Sequence, residues 1–257
     1  MPAAAACLPD GWLLPDWPVH CHVHAVCTAR PGGVSRDAWS ALNLGDHVGD
    51  DPAAVAANRA RLAATIGLPN EAIIWMNQVH GDRVVVVDEN SRSPVDNADG
   101  LVTTRPRLAL AVVTADCVPV LLADARAKVV AAVHAGRVGA QKGVVVRAVE
   151  AMQSVGARVE DISALLGPAV SGRNYEVPAA MADEVEAALP GSRTTTVKNT
   201  PGLDLRAGIA RQLKELGVTA IDIDPRCTFD DPTLFSHRRG APTGRLASLV
   251  WMEPLAG

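Results

Sequence analysis

The chain has 257 residues, of which 48% are hydrophobic and 20% are charged, and its formal net charge is -4. This composition is typical of a globular protein with a sizeable core, and the length allows a single domain. Because basic residues are not in excess and only 3% of residues are aromatic, we expect neither nucleic acid nor an anionic membrane among the partners.

Segments with helical caps alternate with short apolar runs along the chain. In order, the pattern predicts a helix over 50–69, strands over 72–79, 83–88, 108–114 and 128–133, a helix over 139–156, a strand over 162–166, helices over 177–191 and 204–217, and a strand over 247–251. Several of these strands are apolar throughout, which is typical of strands covered on both faces. We therefore expect an α/β (α+β) layered single domain over 1–257, built as a mixed sheet with flanking helices.

The cysteines and the apolar segments indicate the cellular compartment of the protein. The chain has an odd number of cysteines, five, and no C-x-x-C pair. The five are Cys7, Cys21, Cys27, Cys117 and Cys227. This pattern argues against a disulfide framework and favours a reducing compartment. The segment MPAAAACLPDGW lacks the pattern of a signal peptide, and the apolar stretch 108–123 is too short to span a bilayer. We therefore expect a cytoplasmic protein with no membrane partner.

Three potential metal ligands follow predicted strands: His80, Cys117 and His134. Because ligand groups of α/β proteins collect beyond the carboxyl ends of strands, these side chains can converge although long segments separate them. Two imidazoles and one thiolate suit a zinc ion and leave a fourth position open for water or substrate. The alternative is that Cys117 is a small buried apolar residue and that the histidines lie in turns. Asp116 would either form a turn or orient a ligand histidine.

Six segments carry a resemblance to a known family. They are ARPGGVS…ALNLGDHVGDDPAAVAANR, NQVHGDRV, ADGLVTT, TADCVPVLLAD, VHAGR and FSHRRGAPTGRLASLVW, and they extend in order from about Cys27 to Met252. Together they resemble the YfiH-like laccase-domain family, which is also called the purine nucleoside phosphorylase or polyphenol oxidase YfiH family. The resemblance is specific because several motifs match in register over nearly the whole chain.

The resemblance implies a zinc ion bound by the histidine of QVHG, the cysteine of TADC and the histidine of HAG, which are His80, Cys117 and His134. The same three residues would be catalytic. The implied reaction is phosphorolysis of a purine nucleoside (adenosine, inosine, guanosine or methylthioadenosine) to the free base and ribose 1-phosphate. Adenosine deamination is a further activity of the family. A nucleoside and phosphate are therefore the implied small-molecule partners.

The chain departs from the family in the segment that follows the HAG motif. The family usually has HAGWRG where this sequence has HAGRVG, so Arg137 stands in place of the tryptophan and Val138 in place of the arginine. We expect Arg137 near the start of the helix after the His134 strand, where it would bind phosphate from one residue earlier. The alternative is that the activity differs from that of the family.

Other arginines are candidates for the phosphate site. Arg238, Arg239 and Arg245 lie in a segment without acidic residues, so they either bind phosphate or form a solvated basic loop. Arg30, in TARPGGVS, stands beside two glycines that let backbone amides approach an anion. The resemblance favours Arg30 as a phosphate-binding or active-site residue.

The remaining candidates are amides and histidines. The resemblance also favours Asn43 and Gln78 as substrate residues, and their alternative role is hydrogen bonding in a turn or at a strand end. Because His20, His22 and His24 alternate, they would share one face of a strand. That face could bind copper or zinc adventitiously, but we expect an exposed strand face instead. His47, in GDHVGDDP, is expected in the loop before a helix N-cap.

Three other functions stay open. A copper-dependent polyphenol oxidase (laccase-like) fits the family's older name, but seven histidines are few for a multinuclear copper centre. A metal-free Cys-His hydrolase would use Cys117 as the nucleophile and His134 or His80 as the base. A small-molecule-binding protein without catalytic activity is the third. Metal content and phosphate-dependent release of free base discriminate among them.

Overall fold

The computed structural model describes Trp12 and residues 22–254. The strands of this part are β1 Val23–Cys27, β2 Ile73–Ile74, β3 Val84–Val86, β4 Gly100–Thr103, β5 Ala109–Thr114, β6 Val118–Asp124, β7 Val129–Ala135, β8 Ile162–Leu166, β9 Arg193–Thr195, β10 Pro201–Leu203, β11 Ala220–Ile223 and β12 Leu246–Met252. Its α-helices are α1 Pro52–Ile66, α2 Arg137–Gln141, α3 Val144–Ser154, α4 Ala179–Ala188 and α5 Leu205–Leu216. Among these described residues, no helix has both the length and the apolar character needed to cross a bilayer.

The strands form two main sheets and one two-stranded ladder. The larger sheet has the order β11-β8-β6-β7-β4-β3, the second has the order β1-β12-β5-β2, and β9 pairs with β10. Both main sheets are mixed: β6 is antiparallel to β7 and β8, whereas β11 is parallel to β8, and β2 is parallel to β5. The predicted mixed sheet is therefore confirmed, although it is divided into separate sheets.

The core occupies both faces of the six-stranded sheet. Along β6, Val120 and Leu122 pack with residues of α3 and α5, whereas Leu121 and Ala123 face the four-stranded sheet. All four side chains are inaccessible to solvent. Burying a valine or leucine side chain stabilises a fold by about 1.5–3 kcal/mol. The apolar runs thus mark strands covered on both faces, as expected.

The four-stranded sheet is covered on both faces as well. Leu110 and Val112 of β5 face the six-stranded sheet, while Ala111 and Val113 pack in a second cluster with Leu62 of α1. The layers in order are therefore the α3 and α5 helices, the six-stranded sheet, the four-stranded sheet and α1. This arrangement confirms the predicted layered α/β fold.

Helix caps follow from local sequence at two places. The Asp51 side chain accepts a hydrogen bond from Ala53 N at 2.9 Å, and α1 ends at Gly67, whose φ is +71°. The Asp204 side chain caps α5 through Ala207 N at 3.1 Å. Both helices agree with the predicted segments because an acidic N-cap and a left-handed glycine are local signals.

Two predicted elements differ from the structure. The predicted helix over 139–156 consists of α2 and α3, because Gly143 has a φ of +82° and breaks the helical path. The predicted strand over 72–79 contains only β2, because the chain leaves the ladder after Ile74. Met76 keeps one isolated bridge to Val95 before the chain enters the loop that carries His80.

Strand β6 was not predicted, although it lies inside the larger sheet. A proline inside a run argues against a central strand, because proline has no amide hydrogen for the ladder. In the structure Pro119 stands opposite His134 of β7, and its carbonyl accepts a hydrogen bond from Gly167 N at 2.9 Å. The short strands β1, β4, β9, β10 and β11 were also not predicted.

The expectation of an exposed histidine face is wrong for the described histidines. His22 is buried, and its Nε2 lies 3.2 Å from the carbonyl oxygen of Ala125. His24 is half-buried and stacks on Trp251 with ring centroids 5.4 Å apart. His20 lies outside the described residues. These two side chains therefore contribute to packing.

The described cysteines are free thiols, and the sequence predicts no disulfide framework. They are Cys27, Cys117 and Cys227. Cys7 and Cys21 lie outside the described residues.

Candidate active site

The three predicted metal ligands meet at the junction of the two main sheets. Cys117 lies in the short link from β5 to β6, His134 lies on β7, and His80 lies in the loop after β2. Their ligand atoms all lie within 4.8 Å of one another. Cys117 Sγ is 3.9 Å from His80 Nε2, and the two imidazole centroids are 4.8 Å apart. The structure therefore brings together residues that are distant in sequence.

Asp116 turns the chain between the two sheets and anchors a distant loop. Its φ is +96°, which lies in the left-handed region. Its Oδ1 accepts a hydrogen bond from Thr228 Oγ1 at 2.6 Å, and its Oδ2 accepts one from Arg238 N at 2.7 Å. Asp116 is thus the turn residue of its two predicted roles, and it does not orient a ligand histidine.

The carboxylate that contacts a ligand histidine belongs to Asp99. His134 Nδ1 donates to Asp99 Oδ1 at 2.8 Å, and the Asp99 side chain is fully buried. Sequence reasoning missed this residue. Asp99 stands in the quoted motif ADGLVTT, but an aspartate before glycine is typical of an ordinary turn.

A glycine leaves room for the cluster. Gly136 precedes α2 at the N-cap, and a Cβ atom there would lie 2.7 Å from His80 Cδ2 and 3.1 Å from Cys117 Sγ. The first of these distances is shorter than a Cβ contact allows. Any larger residue at 136 would therefore displace a ligand side chain.

The cluster favours a thiolate next to a protonated imidazole when no metal is bound. Burial alone would raise the pKa of Cys117, but the charges and hydrogen bonds of His134 and His80 outweigh it and lower that pKa to about 6. Burial alone would lower the pKa of His134, yet Cys117 and Asp99 raise it to about 9. The thiolate is the form of cysteine that binds metals.

The residues present fit a zinc ion. Two imidazole nitrogens and one thiolate form a ligand set that catalytic zinc sites use, with bond lengths of about 2.0–2.3 Å. Such lengths place tetrahedral ligand atoms about 3.3–3.8 Å apart; here Cys117 Sγ and His80 Nε2 are 3.9 Å apart, and all the ligand atoms lie within 4.8 Å of one another. All three ligands line one open cavity, so the remaining position of the metal can face a substrate.

This cavity has a volume of about 570 Å³, which is within the range of small-molecule sites. Its other polar lining residues are His47, Gln78, Thr114, Asp116, Arg137, Tyr175, His237, Arg238 and Arg245. The lining thus contains three arginines and a single carboxylate, that of Asp116. This carboxylate already accepts hydrogen bonds from Thr228 and from the Arg238 amide. The positive charge of the lining favours an anionic ligand.

All three lining arginines are candidates for the phosphate site in the sequence, and the first two are fixed by contacts at the cavity wall. Arg137 is the first residue of α2, as expected, and its Nη1 donates to Gln141 Oε1 at 3.0 Å. The Arg238 guanidinium lies 4.7 Å from the ring centroid of Tyr175 and donates to the Glu176 carbonyl at 2.9 Å. Both side chains are therefore held in place at the cavity wall.

Arg245, the third lining arginine, is partly buried, and burial lowers its pKa although Cys117 and Asp116 act in the opposite direction. Its Nη1 donates to the carbonyls of Thr243 and Gly244 at 3.0 and 3.1 Å. The guanidinium is thus oriented by its own loop.

Arg30 and Arg239 do not line the cavity. The Arg30 guanidinium donates to the Ser40 carbonyl and lies 5.5 Å from the Phe235 ring centroid. Arg239 donates to four backbone carbonyls of the preceding loop, those of Thr228, Phe229, Asp231 and Leu234. These contacts give both residues a role in loop structure, and their contact with phosphate stays a prediction.

The two predicted amide residues are occupied by backbone contacts. Asn43 is buried, outside the cavity lining, and its Oδ1 accepts from the Arg245 amide at 2.8 Å. Gln78 lines the cavity, but its side chain pairs with the Val113 backbone through two hydrogen bonds of 2.8 and 2.9 Å. Gln78 thereby ties the His80 loop to β5.

Besides Asp99, sequence reasoning missed three features of this cavity. Tyr175 follows no recognised motif, and its ring supports Arg238. His237 lies inside FSHRR, where only the arginines are predicted as site residues. His47 was expected in a loop before a helix cap, and the fold brings that loop to the cavity wall.

Comparisons with known proteins agree with the motifs. A family model described as multi-copper polyphenol oxidoreductase laccase matches residues 24–253. A protein of Mycobacterium tuberculosis named purine nucleoside phosphorylase is 74% identical over 235 residues, which cover 91% of this chain and 94% of that protein.

Solved structures are similar over nearly the whole chain. A Neisseria meningitidis protein has a TM-score of 0.86 and 36% identity, with 95% of this chain and 99% of that chain covered. YlmD from Geobacillus stearothermophilus has a TM-score of 0.90 and 31% identity, with 96% and 98% covered.

Proposed function

Because this chain belongs to the YfiH-like laccase-domain family, we propose that it is a zinc-dependent purine nucleoside phosphorylase. The observation that carries the proposal is the juxtaposition of a His-Cys-His ligand group with three arginines in one cavity. The name of the 74% identical Mycobacterium tuberculosis protein supports the reaction type. The free thiols of the described part support a reducing compartment, and we place the reaction in the cytoplasm.

The proposed reaction requires the cavity to hold phosphate next to the ribose of the nucleoside. A phosphate oxygen forms a bond to ribose C1′ while the bond from C1′ to the purine nitrogen breaks, and the base leaves with the electron pair. Arg137, Arg238 and Arg245 hold the phosphate, because guanidinium groups match its oxygens with charge-assisted hydrogen bonds. Their fixed positions orient the nucleophile before the bond forms.

A zinc ion held by His80, Cys117 and His134 would supply a Lewis acid that polarises an oxygen ligand. The thiolate of Cys117 is available for this role at neutral pH because its pKa is lowered to about 6. His47 and His237, the cavity's imidazoles outside the ligand group, are the side chains that can give a proton to the departing base.

Adenosine deamination is the second activity that we propose for this centre. A water activated at the same ligand group and directed at the purine C6 would release ammonia and form inosine. The cavity of about 570 Å³ beside the ligand group is of the size that small-molecule sites have, so the same space can take adenosine. Replacing Arg137 with alanine should lower phosphorolysis more than deamination, because water needs no guanidinium partner.

Two competing functions make different predictions. A polyphenol oxidase, as the family model's description suggests, needs several copper ions, whereas the described part of the chain brings one group of three such ligands together. A metal-free Cys-His hydrolase is favoured by the thiolate of Cys117 beside His134. It would keep its activity after complete removal of metal.

The test combines metal analysis with product analysis. We expect one zinc ion per purified chain and release of free base from adenosine, inosine, guanosine or methylthioadenosine only when phosphate is present. Cys117→Ala should lose both the metal and the activity. Base release without phosphate, or full activity in the metal-free protein, would overturn the proposal.

A further inference from the structure

We propose that Asp99 is the positioning residue of the metal centre, because its one buried carboxylate holds both histidine ligands in place. This inference rests on the proposed metal centre of His80, Cys117 and His134. It concerns how the centre is built and is independent of the reaction that the centre performs.

The first half of the argument concerns His134. Its Nδ1 donates to Asp99 Oδ1 at 2.8 Å, and its backbone amide donates to the Asp99 carbonyl at 2.7 Å. A carboxylate can only accept in such a pair, so Nδ1 carries the hydrogen and Nε2 is left as the nitrogen for a metal. Asp99 therefore fixes both the ring orientation and the tautomer of this ligand.

The second half concerns His80, which is exposed and lies in a loop. Three consecutive backbone amides of that loop converge on the same carboxylate: Val79 N and Gly81 N donate to Oδ2 at 3.2 and 2.7 Å, and His80 N donates to Oδ1 at 3.0 Å. His80 itself has a φ of +58°, a conformation that residues other than glycine rarely adopt. The carboxylate holds this conformation, which directs the imidazole toward Cys117.

Asp99 is suited to this role by its charge and its burial. It is inaccessible to solvent. Its two oxygens accept four hydrogen bonds, one from His134 Nδ1 and three from the loop amides. An ionised carboxylate accepts at both oxygens, whereas an asparagine amide accepts at only one. The amide hydrogens of asparagine would oppose either the Val79 and Gly81 amides or the hydrogens of His134 Nδ1 and His80 N.

The chain offers a matched control in Asp124. This residue is also buried, and its carboxylate accepts hydrogen bonds from three backbone amides, those of Arg126, Ala127 and Arg158, at 3.0, 2.9 and 2.9 Å. It contacts neither ligand histidine. Asp124→Asn therefore reproduces the loss of a buried, amide-bonded carboxylate without a change at the metal centre.

The experiment measures zinc affinity of the zinc-depleted full chain by competition with a chromogenic chelator. We expect Asp99→Asn to bind zinc about 10- to 100-fold more weakly than the wild type, and Asp124→Asn to stay within about twofold. Equal affinity of Asp99→Asn and the wild type would overturn the inference. So would an equal loss in the two variants, because that result would reflect general destabilisation.

A second measurement separates positioning from folding. In the cobalt-substituted protein, the sulfur-to-cobalt absorption band reports Cys117, and the d–d bands report the geometry of the other ligands. Asp99→Asn should keep the sulfur-to-cobalt band and change the d–d bands. Unchanged d–d bands would contradict the inference. If Asp99→Asn does not fold, Asp99→Glu, which keeps the charge and moves it, should show the same loss of affinity.

A double-variant cycle tests whether Asp99 acts through His80. In a His80→Ala background, Asp99→Asn should weaken zinc binding less than it does in the wild type, because part of its effect has already been removed. Additive losses would overturn the action through His80. Zinc binding by a wild type that performs no phosphorolysis would refute the proposed reaction, and the affinities would still decide the role of Asp99.

Discussion

Adjacent residues of the TADC motif serve two parts of the site. Cys117 contributes its sulfur to the ligand group, and Asp116 bonds the amide of Arg238 and the hydroxyl of Thr228. One short turn thus connects the ligand group with a loop whose arginine lines the same cavity. An aspartate and a cysteine interrupt an apolar segment here because they hold together elements that no local contact would join.

Arg238 and Arg239 are neighbours in sequence with different contacts, so they form a matched pair. Arg238→Ala should raise the KM for phosphate about 10- to 100-fold, because a charge-assisted hydrogen bond contributes about 1.5–3 kcal/mol. Arg239→Ala should leave that KM unchanged and lower the Tm, since its guanidinium bonds the loop carbonyls. Steady-state kinetics and thermal melts of both variants check this. A reversed pattern would place the phosphate at Arg239.

Cys117 should be a reactive thiol in the metal-free protein. Its pKa is lowered to about 6, so its thiolate is present at neutral pH and is lost as the pH falls through 6. Cys27 is the internal control, because burial raises its pKa to about 11. Alkylation by iodoacetamide, followed by peptide mass spectrometry, should therefore modify Cys117 with a midpoint near pH 6 and spare Cys27. Added zinc should protect Cys117, and a midpoint near pH 9 would contradict the cluster electrostatics.

At the scale of elements, local signals were sufficient for the capped helices α1 and α5 but not for strand β6 or for every residue of the site. The caps Asp51 and Asp204 place α1 and α5 correctly, because a cap involves residues within one turn. Strand β6 was missed because Pro119 is unfavourable unless the partner strands are known. The converging ligands were predicted from strand ends and family motifs. Asp99 was not, since its partners at 79–81 and 134 become neighbours only in the folded chain.

The start of α2 is the element on which the ligand group depends most closely. Gly136→Ala should weaken zinc binding at least tenfold, because the new Cβ would lie 2.7 Å from His80 Cδ2 and displace that ring. Gly143→Ala, at the break between α2 and α3, is the control: its φ of +82° makes alanine strained, but the position is remote from the ligands. We expect a loss of roughly 1 kcal/mol of stability with normal zinc affinity for the control. Zinc titrations and urea melts of both variants separate the two effects.

At the scale of the molecule, the ligand group joins layers that are already packed. His134 belongs to the six-stranded sheet, His80 follows a strand of the four-stranded sheet, and Cys117 links the two. The apolar contacts between the sheets lie elsewhere, in a cluster that includes Leu110, Leu121 and Val250. A metal here therefore adds a cross-link to a core that exists without it.

Removal of the proposed zinc ion should consequently lower the Tm without unfolding the protein at room temperature. Binding to the native state alone stabilises by about 4 kcal/mol at free zinc near 1,000 times Kd. For a chain of this size each kcal/mol corresponds to roughly 2–4 °C. Differential scanning calorimetry of wild type with zinc and with chelator should show that shift. Cys117→Ala should melt near the chelated wild type and show no response to added zinc. Because the sheets pack through apolar side chains, a chelated protein that lost its secondary structure at 25 °C would contradict this account of the core.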